Sequence, residues 1–195
     1  MGYDINASTS NCYEGTTCLI NKLGITDECK LKEFEGAVTF AKASELEKNT
    51  ISTAFYIEHY RAIHKYLFED IYDWAGEYRT VNLSKKGTKF APADKISDLM
   101  TACFKRLKEN NFFQGNSFNV FVENIVDFYC VTNMIHPFRE GNGRTERVFL
   151  VQFVRNAGYD IDYSVLNSDI LMIGSIQAAS GVMDTLVKFF EDNIV

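Results

Sequence analysis

The sequence predicts an all-α fold, a compact helical bundle with one short β-hairpin. Apolar residues recur at three- and four-residue steps through most of its 195 residues, which is the spacing of one face of an α-helix. Two prolines and 12 glycines leave little room for a long linker, so residues 1–195 are expected to form a single domain. Only residues 78–92 alternate as strands do.

The N-terminal third predicts a polar, turn-rich leader, residues 1–26, and two helices. Thr26 and Asp27 are good caps for the first helix, and the second is expected to run on until Gly76 stops it. Apolar positions place the core-facing side of the first helix at Leu31, Phe34, Val38, Ala41 and Leu46.

Residues 78–92 predict a two-stranded hairpin that turns at Lys85-Lys86-Gly87. An isolated hairpin is marginally stable, so this one is expected to lie against the helices. From its residues alone, the segment is interpreted as a surface hairpin with solvated lysines. Helices follow at residues 93–107, 116–134, 145–157, 167–180 and 182–194.

Composition excludes several classes of function. The net charge of -6 argues against a general nucleic-acid binder and favours a nucleotide over a polynucleotide. Five dispersed cysteines without Cys-x-x-Cys spacing indicate reduced thiols and no zinc site. With no signal peptide or apolar span visible, we expect a cytoplasmic protein without a membrane partner, or one delivered into another cell by a route that the sequence does not show.

Nine residues between the fourth and fifth predicted helices contain an unusual concentration of polar groups. They read His136-Pro137-Phe138-Arg139-Glu140-Gly141-Asn142-Gly143-Arg144. Pro137 ends the preceding helix, and the glycines allow a sharp turn and close approach of a ligand. The amides of Gly141, Asn142 and Gly143 open the next helix, where free N–H groups and the helix dipole attract phosphate.

Each side chain of this loop suits phosphate chemistry. His136 titrates near neutrality and could take a proton from a hydroxyl, and Glu140 is a hard oxygen ligand for Mg²⁺. Arg144 and Arg147 share one helix face and suit a polyphosphate. The alternative is a polar turn with a capped histidine and surface arginines. The complete set favours a site for a nucleoside triphosphate with magnesium.

The loop continues as Thr145-Glu146-Arg147, and the whole resembles the signature of the Fic family (filamentation induced by cAMP). That signature is His-x-Phe-x-(Asp/Glu)-Gly-Asn-Gly-Arg-x-x-Arg, and the chain matches it at every defined position. The resemblance implies an all-helical Fic fold and transfer of AMP from ATP to a hydroxyl of a target protein. It implies His136 as general base, Phe138 as core anchor, Glu140 as magnesium ligand, Gly141, Asn142 and Gly143 as phosphate cradle, and Arg144 and Arg147 on the β- and γ-phosphates.

The same resemblance implies a role for the hairpin. In the family this segment is a flap over the active site, whose edge pairs with an extended piece of the target. Lys86, Gly87 and Thr88 are the expected contacts with target or nucleotide. His59 and His64 have no metal-ligand spacing and are expected on a helix surface or at a cap.

Many Fic proteins are restrained by a glutamate in a Ser/Thr-x-x-x-Glu-Gly/Asn helix, which pairs with the second arginine of the motif. Glu35-Gly36 matches the end of that pattern, although Leu31 stands where Ser or Thr is expected. We therefore expect Glu35 near Arg147 as a candidate inhibitory glutamate. An antitoxin-like inhibitor is the competing source of restraint.

Three other activities stay open at this stage. A Doc-like phosphotransferase would move the γ-phosphate, but that branch resembles this motif with lysine where Gly143 stands. An enzyme that removes AMP from a target could use the same site, and a catalytically silent toxin-like module would only bind a partner. Self-modification is a further expectation, since the chain has ten tyrosines. The sequence leaves the oligomeric state open.

Overall fold

The structure, a computed structural model, describes residues 11–51, 54–85 and 88–195. The described residues form seven α-helices and one two-stranded antiparallel sheet, and the prediction of a helical fold with a short hairpin is confirmed. The elements are α1 Glu28–Lys48, α2 Ile57–Phe68, β1 Ser84–Lys85, β2 Thr88–Lys89, α3 Ile96–Glu109, α4 Phe118–Ile135, α5 Asn142–Asn156, α6 Ser168–Ala178 and α7 Asp184–Asn193.

Helix α5 lies at the centre of the bundle and packs against α1, α2 and α4. Its residues from Val148 to Val154 are all buried, as expected for a helix that is apolar almost all round. Phe149 makes ring contacts with Phe55 in the segment before α2, with Tyr60 of α2 and with Phe104 of α3. Because α5 is fixed on several sides, its first turn is a rigid platform.

Helix α1 begins as predicted, because the Asp27 carboxylate accepts hydrogen bonds from the amides of Cys29 and Lys30. Its predicted core face is wrong in part. Phe34 is exposed, whereas the polar residues Glu35 and Thr39 are buried together with Leu31, Ala43 and Leu46. Glu35 and Thr39 face inward because they hydrogen-bond to Arg144 of α5, and this polar contact overrides the apolar pattern.

Helix α2 ends at Phe68, so the expectation that it would continue to Gly76 is wrong. Gly76 instead closes a turn over α2: its amide donates to His64 Nδ1 at 2.8 Å, and its carbonyl accepts from Arg61 Nε at 2.9 Å. His59 and His64 are both buried, which corrects their expected place on the helix surface. None of the described helices is long and apolar enough to cross a bilayer.

The hairpin is shorter than predicted. Ser84 pairs with Lys89 and Lys85 pairs with Thr88, and the Phe90 amide donates to the Leu83 carbonyl at 3.1 Å. Residues 78–83 do not form the predicted strand: the Arg79 amide donates to the Pro137 carbonyl at 2.9 Å, and the Asn82 side chain accepts from the Ala93 amide at 2.8 Å. The tip residues Lys86 and Gly87 lie outside the described residues.

One buried carboxyl group in this core predicts a dependence of stability on pH. Glu146 of α5 is 2% exposed and hydrogen-bonds to the Thr132 hydroxyl of α4. Burial raises the pKa of Glu146 to about 8, from 4.5 for an exposed glutamate, although the bond to Thr132 opposes this. The folded state therefore favours the protonated form, whose contribution to stability is complete below pH 4.5 and is lost as the pH rises to about 8.

We expect Glu146→Gln, which mimics the protonated carboxyl, to remove this loss. The free energy of unfolding of the variant should exceed that of the wild type by an amount that grows between pH 5 and 8, to a few kcal/mol by order of magnitude. Urea unfolding at several pH values measures it. The matched control is Glu123→Gln, an exposed position on α4 that should show no such growth. A constant difference across this range would contradict the assignment.

Candidate active site

The polar loop joins the end of α4 to the start of α5. His136 caps α4 with a left-handed backbone (φ 51°), and its amide donates to the Thr132 carbonyl at 3.0 Å. This conformation turns the chain out of the helix one residue before Pro137, where the helical conformation is disfavoured. The predicted end of the helix at this proline is therefore confirmed, and the turn directs the imidazole to a cavity.

His136 is 7% exposed, and its imidazole is held on two sides. Its ring stacks on Phe90, which follows β2, with centroids 3.8 Å apart and an interplanar angle of 11°. Its Nδ1 lies 3.3 Å from the Asn133 carbonyl. A carbonyl can only accept, so this contact requires the proton on Nδ1, and Nε2 is then the proton acceptor of the neutral ring.

Asn142 closes the loop with its side chain. Its Oδ1 accepts from the Phe138 amide at 2.8 Å, and its Nδ2 donates to the Phe138 carbonyl at 2.8 Å. Phe138 is fully buried and stacks on His64 with centroids 3.7 Å apart. The side chain of Asn142 thus shapes the loop, and only its backbone amide is left to face an anion.

The position of Gly141 accepts no side chain. Its backbone is left-handed (φ +81°), and a Cβ there would lie 2.2 Å from Cζ of Phe68. Its amide donates to Glu140 Oε1 at 2.9 Å. Helix α5 starts at Asn142, so the amides of Asn142, Gly143 and Arg144 are the first-turn N–H groups that lack an intrahelical acceptor. These three amides, rather than that of Gly141, are the N–H groups that the end of the helix offers to an anion.

The side chain of Arg144 is bound by two residues of α1, Glu35 and Thr39. Its guanidinium forms a salt bridge with Glu35, donates to Thr39 Oγ1 at 3.2 Å, and lies over the Phe68 ring. Its Nη2 is also 3.3 Å from Glu140 Oε1. The sequence led us to expect Glu35 beside Arg147, and this is wrong: the salt bridge of Glu35 is with Arg144.

Glu35 is itself 5% exposed and also accepts a hydrogen bond from the Tyr72 hydroxyl. Burial raises the pKa of Tyr72, and the charge of Glu35 raises it further, so Tyr72 keeps its proton and donates. Arg147 has a different environment, because it is partly exposed, lines the cavity and lies near the Tyr163 ring. Among the described residues, no carboxylate forms a salt bridge with Arg147.

The cavity in front of the loop has a volume of about 430 Å³, within the usual range of small-ligand sites. Thr88 and Phe90 line the cavity on the side of the hairpin. The loop and the first turns of α5 line it with His136, Glu140, Gly141, Asn142, Gly143, Arg144 and Arg147. The opposite wall comes from α6, with Ser168, Asp169, Met172 and Ser175. The sequence predicted α6 as a closing helix but gave no signal that it faces the loop.

His64 is a second part of the site that the sequence did not reveal. Its Nε2 lies 3.0 Å from the Glu140 carbonyl and its Nδ1 accepts from the Gly76 amide, so the ring is neutral with its proton on Nε2. Burial lowers the pKa of His64 to about 3, which keeps it neutral at physiological pH. His64 therefore holds the main chain of Glu140 in place.

The donor set fits magnesium bound together with a phosphorylated ligand. Within the described residues there is no group of three or more His, Cys, Asp or Glu side chains that could hold a metal ion. Glu140 supplies one carboxylate at the cavity, and Mg²⁺ commonly takes one or two carboxylates and completes its shell with phosphate oxygens and water. Glu140 is thus the residue that would hold the ion.

Comparison with known proteins identifies the family to which the chain belongs. The family model described as "Fic/DOC family" matches residues 54–154. The protein adenylyltransferase VbhT of Bartonella schoenbuchensis is 34% identical over 92% of this chain, which spans 37% of the length of VbhT. The probable protein adenylyltransferase y4lH of Sinorhizobium fredii is 36% identical over 87% of this chain and 88% of that protein.

Solved structures show the same fold. The BepC protein of Bartonella tribocorum, crystallised with bound AMPPNP, superposes with a TM-score of 0.86 at 28% identity, over 95% of this chain and 96% of that one. The arrangement of helices, the loop sequence and these relatives agree with each other, and the chain belongs to the Fic/DOC family.

Proposed function

We propose that the protein is an adenylyltransferase that moves AMP from ATP to a Ser, Thr or Tyr hydroxyl of a target protein. The observation that supports this most directly is the content of a single cavity: a histidine whose Nε2 can accept a proton, a carboxylate, a helix N-terminus and two arginines. The names of VbhT and y4lH, and the AMPPNP bound to BepC, support the nucleotide and the reaction.

The proposed reaction begins when His136 Nε2 takes the proton of the target hydroxyl. The hydroxyl oxygen then bonds to the α-phosphorus of ATP, and the bond from that phosphorus to the bridging oxygen of pyrophosphate breaks. Pyrophosphate leaves with the bonding electrons, and the product is the AMP ester of the target. Mg²⁺ held by Glu140 would neutralise charge on the phosphates.

The two arginines are proposed to have different roles. Arg147 would bind the β- and γ-phosphates directly, since it lines the cavity and no carboxylate among the described residues forms a salt bridge with it. Arg144 already pairs with Glu35 and Glu140, so it would hold Glu140 and present one edge to the phosphates. The first-turn amides of Asn142, Gly143 and Arg144 would complete the phosphate site.

The hairpin is proposed to hold the target. Thr88 and Phe90 line the cavity, so a peptide paired with β2 would lie next to His136. The target segment could come from another protein or from a second molecule of this chain. Restraint by an antitoxin-like inhibitor would require a partner that reaches the same cavity.

We expect His136→Ala to lower AMP transfer by a factor of about 10² to 10⁴, because it removes the proton acceptor. ATP affinity should change little, because the phosphate groups contact other residues. Transfer from α-labelled ATP measures the first quantity and calorimetry the second, with thermal unfolding as a check on folding. Transfer at the wild-type rate would refute the assigned base, and label from γ-labelled ATP in the target would indicate the Doc-like reaction.

Glu140→Gln should raise the Mg²⁺ concentration needed for half-maximal transfer by roughly tenfold or more, since the amide is a poor ligand for this ion. The measurement is a magnesium titration of the transfer rate at saturating ATP. Glu123→Gln, an exposed change of the same chemistry on α4, should leave the titration unchanged. An identical magnesium curve for both variants would remove Glu140 from the metal site.

We further propose that Glu35 supports the site and does not inhibit it. Glu35 lies in α1, where it pairs with Arg144 and accepts a hydrogen bond from Tyr72. It is not among the residues that line the cavity. Glu35→Gln keeps an acceptor for Tyr72 but leaves Arg144 without its buried partner.

This variant should lower transfer by about tenfold, equivalent to about 1.4 kcal/mol. The control is Glu33→Gln, an exposed position on the same helix, which should have no effect. Both rates are measured with α-labelled ATP at saturating magnesium. A rate above that of the wild type in Glu35→Gln would instead identify Glu35 as the inhibitory glutamate.

A further inference from the structure

Arg79 is a buried arginine, 4% exposed, that precedes the hairpin and forms hydrogen bonds both to the end of α4 and to the base of the hairpin. Two of its bonds reach the end of α4: Nε donates to the His136 carbonyl at 2.8 Å, and Nη2 donates to the Ile135 carbonyl at 3.2 Å. These carbonyls belong to the last turn of the helix, where no intrahelical N–H is left to pair with them. Arg79 therefore satisfies the backbone that carries the imidazole.

Two further bonds of Arg79 reach the base of the hairpin. Nη1 donates to the Val81 carbonyl at 2.6 Å, and Nη2 donates to the Ala91 carbonyl at 2.6 Å. Two main-chain bonds strengthen the same junction, from the Arg79 amide to the Pro137 carbonyl at 2.9 Å and from the Ala91 amide to the Met134 carbonyl at 3.1 Å. The hairpin base and the end of α4 are thus joined by one guanidinium together with these two main-chain bonds.

Charge and shape both explain why an arginine stands here. The C-terminal end of α4 carries the negative end of the helix dipole, which stabilises a buried cation. A planar guanidinium presents five N–H donors in a fixed arrangement and can serve several carbonyls at once, whereas the ammonium of lysine has three donors and no fixed plane.

The junction fixes both the backbone that carries the imidazole of His136 and the position of its stacking partner Phe90. The His136 carbonyl fixes the left-handed backbone from which the ring projects, and Ala91 is the neighbour of Phe90, on which the ring stacks. A shift of the hairpin base relative to α4 would therefore move the ring and its stacking partner apart. No sequence pattern around Arg79 indicates this role.

We propose that Arg79 is a positioning residue that sets the orientation of the His136 imidazole by locking the end of α4 to the base of the hairpin. Its effect on transfer rests on the proposed function, whereas its effect on the ring does not. Arg79 does not itself line the cavity, so it is expected to act through His136 and the hairpin.

The test is Arg79→Lys, which keeps the charge and removes the planar fork of donors. In proton NMR the ring protons of His136 should be shifted upfield in the wild type by Phe90, and the variant should lose much of that shift. The chain has three histidines, so the resonances of His59 and His64 serve as internal references. In the transfer assay kcat should fall by about 10- to 100-fold, with the KM for ATP nearly unchanged.

Arg155→Lys is the matched control. Arg155 also donates to main-chain carbonyls, those of Glu47 and Ile161, but it lies in the last turn of α5, at the end opposite the loop. It should change neither the His136 resonances nor kcat. Unmoved His136 resonances in Arg79→Lys, or an unchanged kcat, would overturn the proposal. If the wild type transfers no AMP, the proposed function fails and the resonances alone decide the role of Arg79.

A measurement on the wild type covers the case in which Arg79→Lys does not fold. With nitrogen-labelled arginine, the Nε–H of Arg79 should exchange with solvent far more slowly than that of Arg106, whose guanidinium is exposed in a salt bridge with Asp127. Equal exchange rates would show that the bond to the His136 carbonyl does not persist, and the proposal would fall.

Discussion

The paired hydrogen bonds between the Asn142 side chain and the main chain of Phe138 are the constraint on which the rest of the site depends. They close a turn of five residues and bury Phe138, which then stacks on His64. Both ends of the turn are thereby fixed at once: Phe138, two residues after His136, and Asn142, the first residue of α5. A short loop closed in this way loses little entropy when a ligand binds, because its geometry is already set.

The charges of the site are arranged around this closed loop. Glu140 and Glu35 are both bound to Arg144, so one cation offsets two carboxylates, and the charge of Arg147 remains available to a ligand. Burying the Glu35 and Arg144 pair costs desolvation energy, which the attraction of a buried pair repays only when additional hydrogen bonds satisfy the remaining polar atoms. The pair gains from additional bonds to Tyr72 and Thr39, which satisfy groups that water would otherwise solvate.

The sequence predicted the helical fold and the loop because both have strong local signals. The spacing of apolar residues predicts where the helices lie. The phosphate-binding loop is predicted by a histidine, an acid and two arginines at fixed spacing. It failed where a partner distant in the sequence decides the outcome. Glu35 and Thr39 are buried because Arg144, more than a hundred residues later, faces them, and α6 lines the cavity through packing that no local pattern records. His64 and Arg79 were missed because their partners are main-chain carbonyls, which have no sequence signature.

These missed residues share one physical feature, and it explains how a small helical protein can position a reactive group without a large sheet. A helix end and a loop expose carbonyl groups that need donors, and a buried His or Arg supplies them from a neighbouring element. His64 fixes the carbonyl of Glu140, and Arg79 fixes that of His136. Both act on the backbone, so neither occupies a polar atom of the His136 or Glu140 side chain. His64 and Arg79 therefore hold the main chain of the catalytic loop from two neighbouring elements.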